Sequence, residues 1–162
     1  MEKVIIRQYQ DSDKNVVWQL HVDGLDQTGS FIFNPALDSD FENIRGIYIN
    51  NDGEFFVASL DDTVIGMGAL RKIDSNTAEI KRMRVSIQHQ RKGLGSTILE
   101  KLIERAKELG YKKLILDTSE KQTAAKQLYE KFGFEEYDRK KLGDHEIIFY
   151  ELDLKRRGKN SI

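Results

Sequence analysis

Cysteine is absent from this chain of 162 residues. Its absence excludes a disulfide framework, a thiolate metal site and a cysteine nucleophile, and it fits a reducing compartment. Long apolar runs are missing too: nothing approaches the roughly 20 residues that a membrane-spanning helix needs. The opening stretch Met1-Glu2-Lys3-Val4-Ile5-Ile6-Arg7 breaks its apolar steps with charges and lacks a signal-peptide core. A soluble cytoplasmic protein is therefore expected. Charge of either sign is not in excess, with 26 basic residues against 27 acidic ones. That balance argues against a general affinity for nucleic acid or acidic membranes. The three histidines, His21, His89 and His145, share no metal-like spacing, and no metal is expected.

The length suits one domain with a sizeable core, and no repeat, low-complexity tract or linker divides it. Residues 1–154 read as that domain; 155–162, with Lys155-Arg156-Arg157-Gly158-Lys159, read as a basic tail. Strands are expected over Val4–Tyr9, Phe55–Leu60, Val64–Ile73, Thr77–Val85, Lys112–Thr118, Phe134–Arg139 and Ile147–Leu154. Turn signals at Asn51-Asp52-Gly53, Asp61-Asp62 and Asp74-Ser75-Asn76 make the early strands an antiparallel meander. Gly66 and Gly68 mark close packing or a bulge in its middle strand. Helical spacing relates Val16, Val17, Leu20 and His21 after the capping candidates Asp11, Ser12 and Asp13. Leu25 to Pro35, which holds the only proline, has no clear period. A second short helix is expected from Asp38, with Phe41, Ile44 and Ile47 or Tyr48 on one side. Leu94, Ile98, Leu99, Leu102, Ile103, Ala106 and Leu109 trace the face of a long helix that Gly110 ends. Ala124 to Phe132, closed by Gly133, is another. The fold class is α/β (α+β), a mixed and mostly antiparallel sheet of about seven strands with helices on both faces.

The segment Gln90-Arg91-Lys92-Gly93-Leu94-Gly95 joins a strand to the start of the long helix. Unpaired backbone N–H groups point outward at such a junction, and the helix dipole favours negative charge there. Gly93 and Gly95 have no Cβ, so an anion can approach the main chain closely. Arg91 and Lys92 add positive charge. These features suit a pyrophosphate.

In the second half, Ala78-Glu79-Ile80-Lys81-Arg82-Met83-Arg84-Val85 is followed by a turn and then by Gly93 and Gly95 opening a helix. Downstream stands Ala125-Lys126-Gln127-Leu128-Tyr129-Glu130-Lys131-Phe132-Gly133-Phe134. With these two motifs the chain resembles the GNAT-type N-acetyltransferases from Ile5 to Leu154. The resemblance implies acetyl-CoA as donor. It implies that Gln90, Arg91, Lys92, Gly93, Leu94, Gly95 and Ser96 wrap the pyrophosphate. Main-chain groups of Met83, Arg84 and Val85 would pair with the pantetheine arm as a further strand does. Many members carry an asparagine seven residues before the tyrosine of the second motif; here Gln122 stands there, as in a subset of the family, and it is a candidate donor contact.

Acetyl transfer from a thioester to an amine needs a neutral amine, a stabilised oxyanion and a protonated leaving thiolate. An alkylamine has a pKa near ~10.4, so a base must take its proton at neutral pH. Without cysteine, direct attack in a ternary complex is the simpler route. Tyr129 matches the family's acid. Glu79, eleven residues before Gln90, matches members that use a strand glutamate, directly or through water; the competing role is an ion pair with Arg71, Lys81 or Arg82. The expected function is acetyl-CoA-dependent N-acetylation of a primary amine on a small molecule, peptide or protein. Phe31, Phe33, Asp38, Asp40 and Glu42 are candidate acceptor contacts. Some family members pair through their last strands, which makes a homodimer compatible with the resemblance. The alternative function is a non-catalytic GNAT-like protein that binds acyl-CoA and regulates a partner.

Overall fold

The computed structural model of the protein describes residues 3–27 and 35–154. One seven-stranded sheet is built from β1 (Val4–Gln8), β2 (Glu54–Leu60), β3 (Thr63–Lys72), β4 (Thr77–Val85), β5 (Lys113–Ser119), β6 (Glu135–Leu142) and β7 (His145–Asp153), in the spatial order β1-β2-β3-β4-β5-β7-β6. Short turns make the early strands antiparallel. Asp61 and Asp62 take positive φ between β2 and β3. Between β3 and β4, Asp74 Oδ1 accepts the N–H groups of Asn76 and Thr77, both at 2.8 Å, a side-chain-stabilised turn. Only β4 and β5 run parallel. A parallel pair needs a long crossover, and helix α3 (Leu94–Glu108) supplies it.

Helices cover both faces. On one face, α3 and α4 (Thr123–Lys131) pack Ile98, Leu99, Leu102 and Tyr129 against Leu70, Ile80, Leu114, Leu116 and Tyr150. On the other, α1 (Lys14–Gln27) and the segment 35–49 pack Val17, Leu20, Phe41 and Tyr48 against Phe55, Val57, Met67 and Ala69. Gly68 lets α3 approach: a Cβ there would stand 2.7 Å from Ile98 Cγ2 and 2.7 Å from Met83 Sδ. The strand register also shifts at this point, between Met67 and Ala69. The extra residues at Gly68 stand on β4, where Arg82 and Met83 lie between Lys81 and Arg84, so Gly68 serves close packing; the middle strand's own irregularity is at Ile65, beside Gly66, between the pairs Ala58↔Gly66 and Ser59↔Val64.

Two expectations are corrected. Helix α1 continues through Gln27, past the point where the apolar period fades, and its Gly24 lies against the side chain of Arg84 on β4. The single helix expected from Asp38 is instead three short pieces: α2 (Pro35–Asp38), a 3₁₀ turn (Ser39–Glu42) and a π turn (Arg45–Ile49). Phe31, Phe33 and the basic tail lie outside the described residues.

Candidate active site

β4 and β5 pair only at Thr77↔Lys113, Ala78↔Leu114 and Glu79↔Ile115. Beyond those three rungs both strands continue, to Val85 and Ser119, without pairing. The gap becomes a cleft of about 210 Å³ lined by Glu79, Lys81, Arg82, Met83, Arg84, Asp117, Thr118, Ser119, Gln122 and Tyr129. Strand backbone on its inner wall has lost one neighbour and can pair with an extended ligand. Two carbonyls there are already engaged by side chains. Met83 O accepts from Arg84 Nη1 at 2.8 Å, and Val85 O accepts from Gln90 Nε2 at 3.0 Å.

Gln90 to Ser96 lie between the end of β4 and the first turn of α3. Gly93 caps α3 with φ +82 and no side-chain cap, so the first-turn N–H groups lack any intrahelical acceptor. A Cβ at Gly93 would meet nothing within 4 Å, which shows that the glycine serves backbone conformation and access rather than packing. Arg91, also at positive φ (65), and Lys92 are exposed. Leu94 behaves differently from its neighbours. Its side chain is buried in the core, so only its main chain can face an anion. Gln122 sits at the N-cap of α4, and its Oε1 accepts from Thr118 Oγ1 at 2.7 Å.

Tyr129 is buried, with ring contacts to Phe134 (5.9 Å) and Tyr150 (6.3 Å). Burial pushes its pKa up to about 12, against a smaller opposing pull from Arg84, so the phenol keeps its proton at neutral pH. Glu79 alternates with the core residues Ala78 and Ile80 and so occupies the opposite, α1-side face of β4. Burial raises its carboxyl pKa, with Asp117 adding to the rise while Lys81, Arg71 and Arg82 oppose it. No ion pair within 4 Å joins Glu79 to any described cation. Asp117 is likewise raised, chiefly by burial.

Arg82 is engaged elsewhere. It sits at positive φ (59) in the β4 bulge, a costly conformation for a residue with a Cβ. Its Nε donates to Asp40 Oδ2 at 3.0 Å, and its Nη2 donates to Asp40 Oδ1 at 2.6 Å and to Leu37 O at 2.9 Å. The guanidinium also lies 4.7 Å from the Phe41 ring centre. Tyr48 donates its hydroxyl to Asp40, while His21 Nε2 and Asp38 Oδ1 are 3.1 Å apart. The acidic segment therefore does not wait for an acceptor amine: Asp38 and Asp40 are buried and neutralise Arg82. Glu42 remains exposed, 3.5 Å from Lys14. The side chains in the Arg82–Asp40 pair are 11% and 6% exposed, so breaking it strands a buried charge. Asp40→Asn is expected to cost about 3 kcal/mol in urea unfolding, and a loss below about 1 kcal/mol would reduce the pair to an ordinary surface bridge. Burial alone would raise the Asp40 pKa, but Arg82 and Tyr48 hold it below the usual 3.8. A depressed carboxylate stabilises the fold above its unfolded pKa, and that contribution fades as pH falls through the folded one.

No group of three or more His, Cys, Asp or Glu positioned for a metal occurs among the described residues. No described helix is long and apolar enough to cross a membrane.

A parallel strand pair splayed after three rungs, followed by a helix capped by Gly93, is the architecture that comparison with known proteins assigns to a family. The family model for the Acetyltransferase (GNAT) family matches residues 18–134, and the chain belongs to that family. It is 40% identical over 96 residues to the uncharacterized N-acetyltransferase YsnE of Bacillus subtilis, covering 58% of this chain and 61% of that protein. Human N-acetylaspartate synthetase is 36% identical over 101 residues, 61% of this chain and 33% of that one. The match thus spans less than two thirds of these relatives. Among solved structures, a GNAT-family acetyltransferase of Staphylococcus aureus superposes with a TM-score of 0.85 at 26% identity, covering 94% of this chain and 99% of the other. The Salmonella typhimurium protein yncA, solved with its cofactor acetyl-CoA, gives 0.75 at 20% identity, covering 93% and 94%.

Proposed function

We propose that this protein transfers the acetyl group of acetyl-CoA to a primary amine by direct attack in a ternary complex. The observation that carries the reading is the splay of β4 from β5, which brings a desolvated carboxylate and a buried phenol to one cleft, with the amide-rich start of α3 following the end of β4 in the chain. The nitrogen named as acceptor for YsnE and the acetyl-CoA of the Salmonella structure support the same chemistry.

Acetyl-CoA supplies an acyl group already activated as a thioester. The chain's own groups do the rest. First-turn N–H groups from Gly93 to Ser96, with Arg91 and Lys92 beside them, suit the diphosphate. Gln122, which lines the cleft at the N-cap of α4, is assigned a contact with the donor's pantetheine arm. Glu79 accepts the amine's proton, through water, as the new C–N bond forms and the C–S bond breaks. Tyr129 returns a proton to the departing sulfur. A main-chain N–H near Met83 or Arg84, turned by the bulge at Arg82, faces the developing oxyanion. An amine arriving as ammonium first gives one proton through Glu79 to solvent; from the neutral amine, one further proton leaves the nitrogen and one reaches the sulfur, so the step balances, and solvent resets both side chains.

Cytoplasmic residence and pairing of two copies through the last strands belong to the same proposal, supported by the cysteine-free composition and the fully exposed β6. Steady-state release of free coenzyme A across a panel of amines tests the reading. Amine-dependent release saturating with both substrates is expected. Release that no amine accelerates would favour the non-catalytic acyl-CoA-binding alternative.

A further inference from the structure

Arg84 lines the cleft, and the reaction above leaves its arrangement unexplained. Its guanidinium donates from Nη1 to the adjacent Met83 O at 2.8 Å. Its Nε is buried without a hydrogen-bond partner. No carboxylate of a described residue lies within 4 Å of it, whereas Arg82 two positions earlier is closed on Asp40. A half-buried guanidinium whose Nε is buried and idle is costly unless something anionic completes the group at its remaining donors. Burial lowers its pKa, in keeping with that cost.

The fold makes room for this side chain. On α1, Gly24 lies against the arginine stem; a Cβ there would come 2.5 Å from Arg84 Cδ and 2.7 Å from Nε. A glycine within a helix costs stability relative to alanine, and here it leaves a slot along which the guanidinium extends. Arg84 is thus held against α1, the side on which Glu79 also lies.

The cleft is lined by groups of both signs. Glu79 and Asp117, on both of which Lys81 acts, have no ion-pair partner within 4 Å among the described residues, and neither has Arg84. A cleft of about 210 Å³ has room for a small molecule between such groups. That charge pattern is complementary to a compact zwitterion and poorly matched to a plain alkylamine, which would leave the guanidinium stranded.

We propose that the acceptor is a free amino acid, a primary amine with a carboxylate one or two carbons from the nitrogen, and that Arg84 binds this carboxylate while the nitrogen lies toward Glu79. This rests on the acetyltransferase reading and narrows its acceptor. Peptide N-termini and protein lysines carry no such carboxylate and are disfavoured. Arginine suits the role because its planar fork matches a carboxylate in two parallel hydrogen bonds.

The test measures coenzyme A release by wild type, Arg84→Met and Arg84→Lys with the common amino acids, each beside its amide. The amide has the more nucleophilic nitrogen at neutral pH, so a preference for the acid opposes intrinsic reactivity. Wild type is expected to favour its best amino acid over the matching amide by at least about 100-fold in kcat/KM, because the amide leaves a buried charge unpaired. Arg84→Met should bring that ratio to about one, mainly by raising KM for the acid, and Arg84→Lys should recover part of it. Acetyl-CoA affinity is titrated on the same preparations, so that any change in donor binding from the freed Met83 carbonyl is counted separately from the acid-to-amide ratio. A wild-type preference for the amide would overturn the proposal. So would an equal loss on acid and amide in Arg84→Met, which would give the arginine to the thioester or the fold. If neither acid nor amide reacts while acetyl-CoA still binds, amino acids are excluded and the donor site stands. If acetyl-CoA itself fails to bind wild type, the broader acetyltransferase reading falls.

Discussion

Tyr129→Phe is expected to lower kcat by roughly 100- to 1,000-fold, the range that one general acid supplies, while acetyl-CoA affinity stays within about twofold of wild type. The substitution removes one oxygen and leaves the ring contacts with Phe134 and Tyr150 in place. The buried phenol, with its pKa pushed up to about 12, is fully protonated at neutral pH and can give its proton to a sulfur leaving as thiolate. A phenylalanine cannot. The two readouts separate chemistry from packing: a packing role would lower melting temperature and donor affinity with little selective effect on kcat. An unchanged kcat would make Tyr129 a core aromatic and nothing more.

Glu79→Gln is expected to cost a comparable 100-fold or more in kcat/KM, and it should also change the pH profile. In wild type the base works only when ionised. Burial raises its pKa above the ordinary 4.5, so activity should fall as pH drops through that raised value. The glutamine variant should lose this acid limb. Stability runs the other way. A carboxylate whose folded pKa is raised destabilises the fold once ionised, so near neutral pH the neutral amide should melt at or above the wild-type temperature. A variant that keeps the acid limb would show that another group is the base. One that unfolds would return Glu79 to a structural role, although no described cation pairs with it within 4 Å.

Much of this architecture was legible in the sequence. All seven strands were expected, because the turns between them carry residues whose backbone chemistry is local, such as Asp61-Asp62 and Asp74. The face of α3 followed from the spacing of Leu94, Ile98, Leu102 and Ala106. The glycines at the start of α3 announced an open helix end for the same local reason. What escaped was non-local. The Arg82–Asp40 pair joins residues 42 positions apart, and the sequence presents them as a basic cluster and an acidic cluster of unrelated purpose. The bulge at Arg82 requires positive φ at an arginine, which no propensity suggests. Arg84 reads as one more surface cation until Gly24 is found beside it; a glycine late in an otherwise helical segment was the only local hint. The separation of β4 from β5 after Glu79 depends on what packs at the sheet's open end, and it has no signature in either strand alone.

The central claim is that main-chain amides at the start of α3 hold the coenzyme's diphosphate. Calorimetric titration of wild type and Gly93→Val with coenzyme A, and with pantetheine, which lacks the diphosphate, tests it most directly. Valine strains the φ of +82 found at this position and puts a branched side chain where a Cβ now meets open space. Coenzyme A should bind wild type far more tightly than pantetheine does, and the valine variant should lose at least about 30-fold of that advantage while its affinity for pantetheine holds. Equal affinity of both proteins for coenzyme A, or a wild type that does not distinguish it from pantetheine, would contradict the claim.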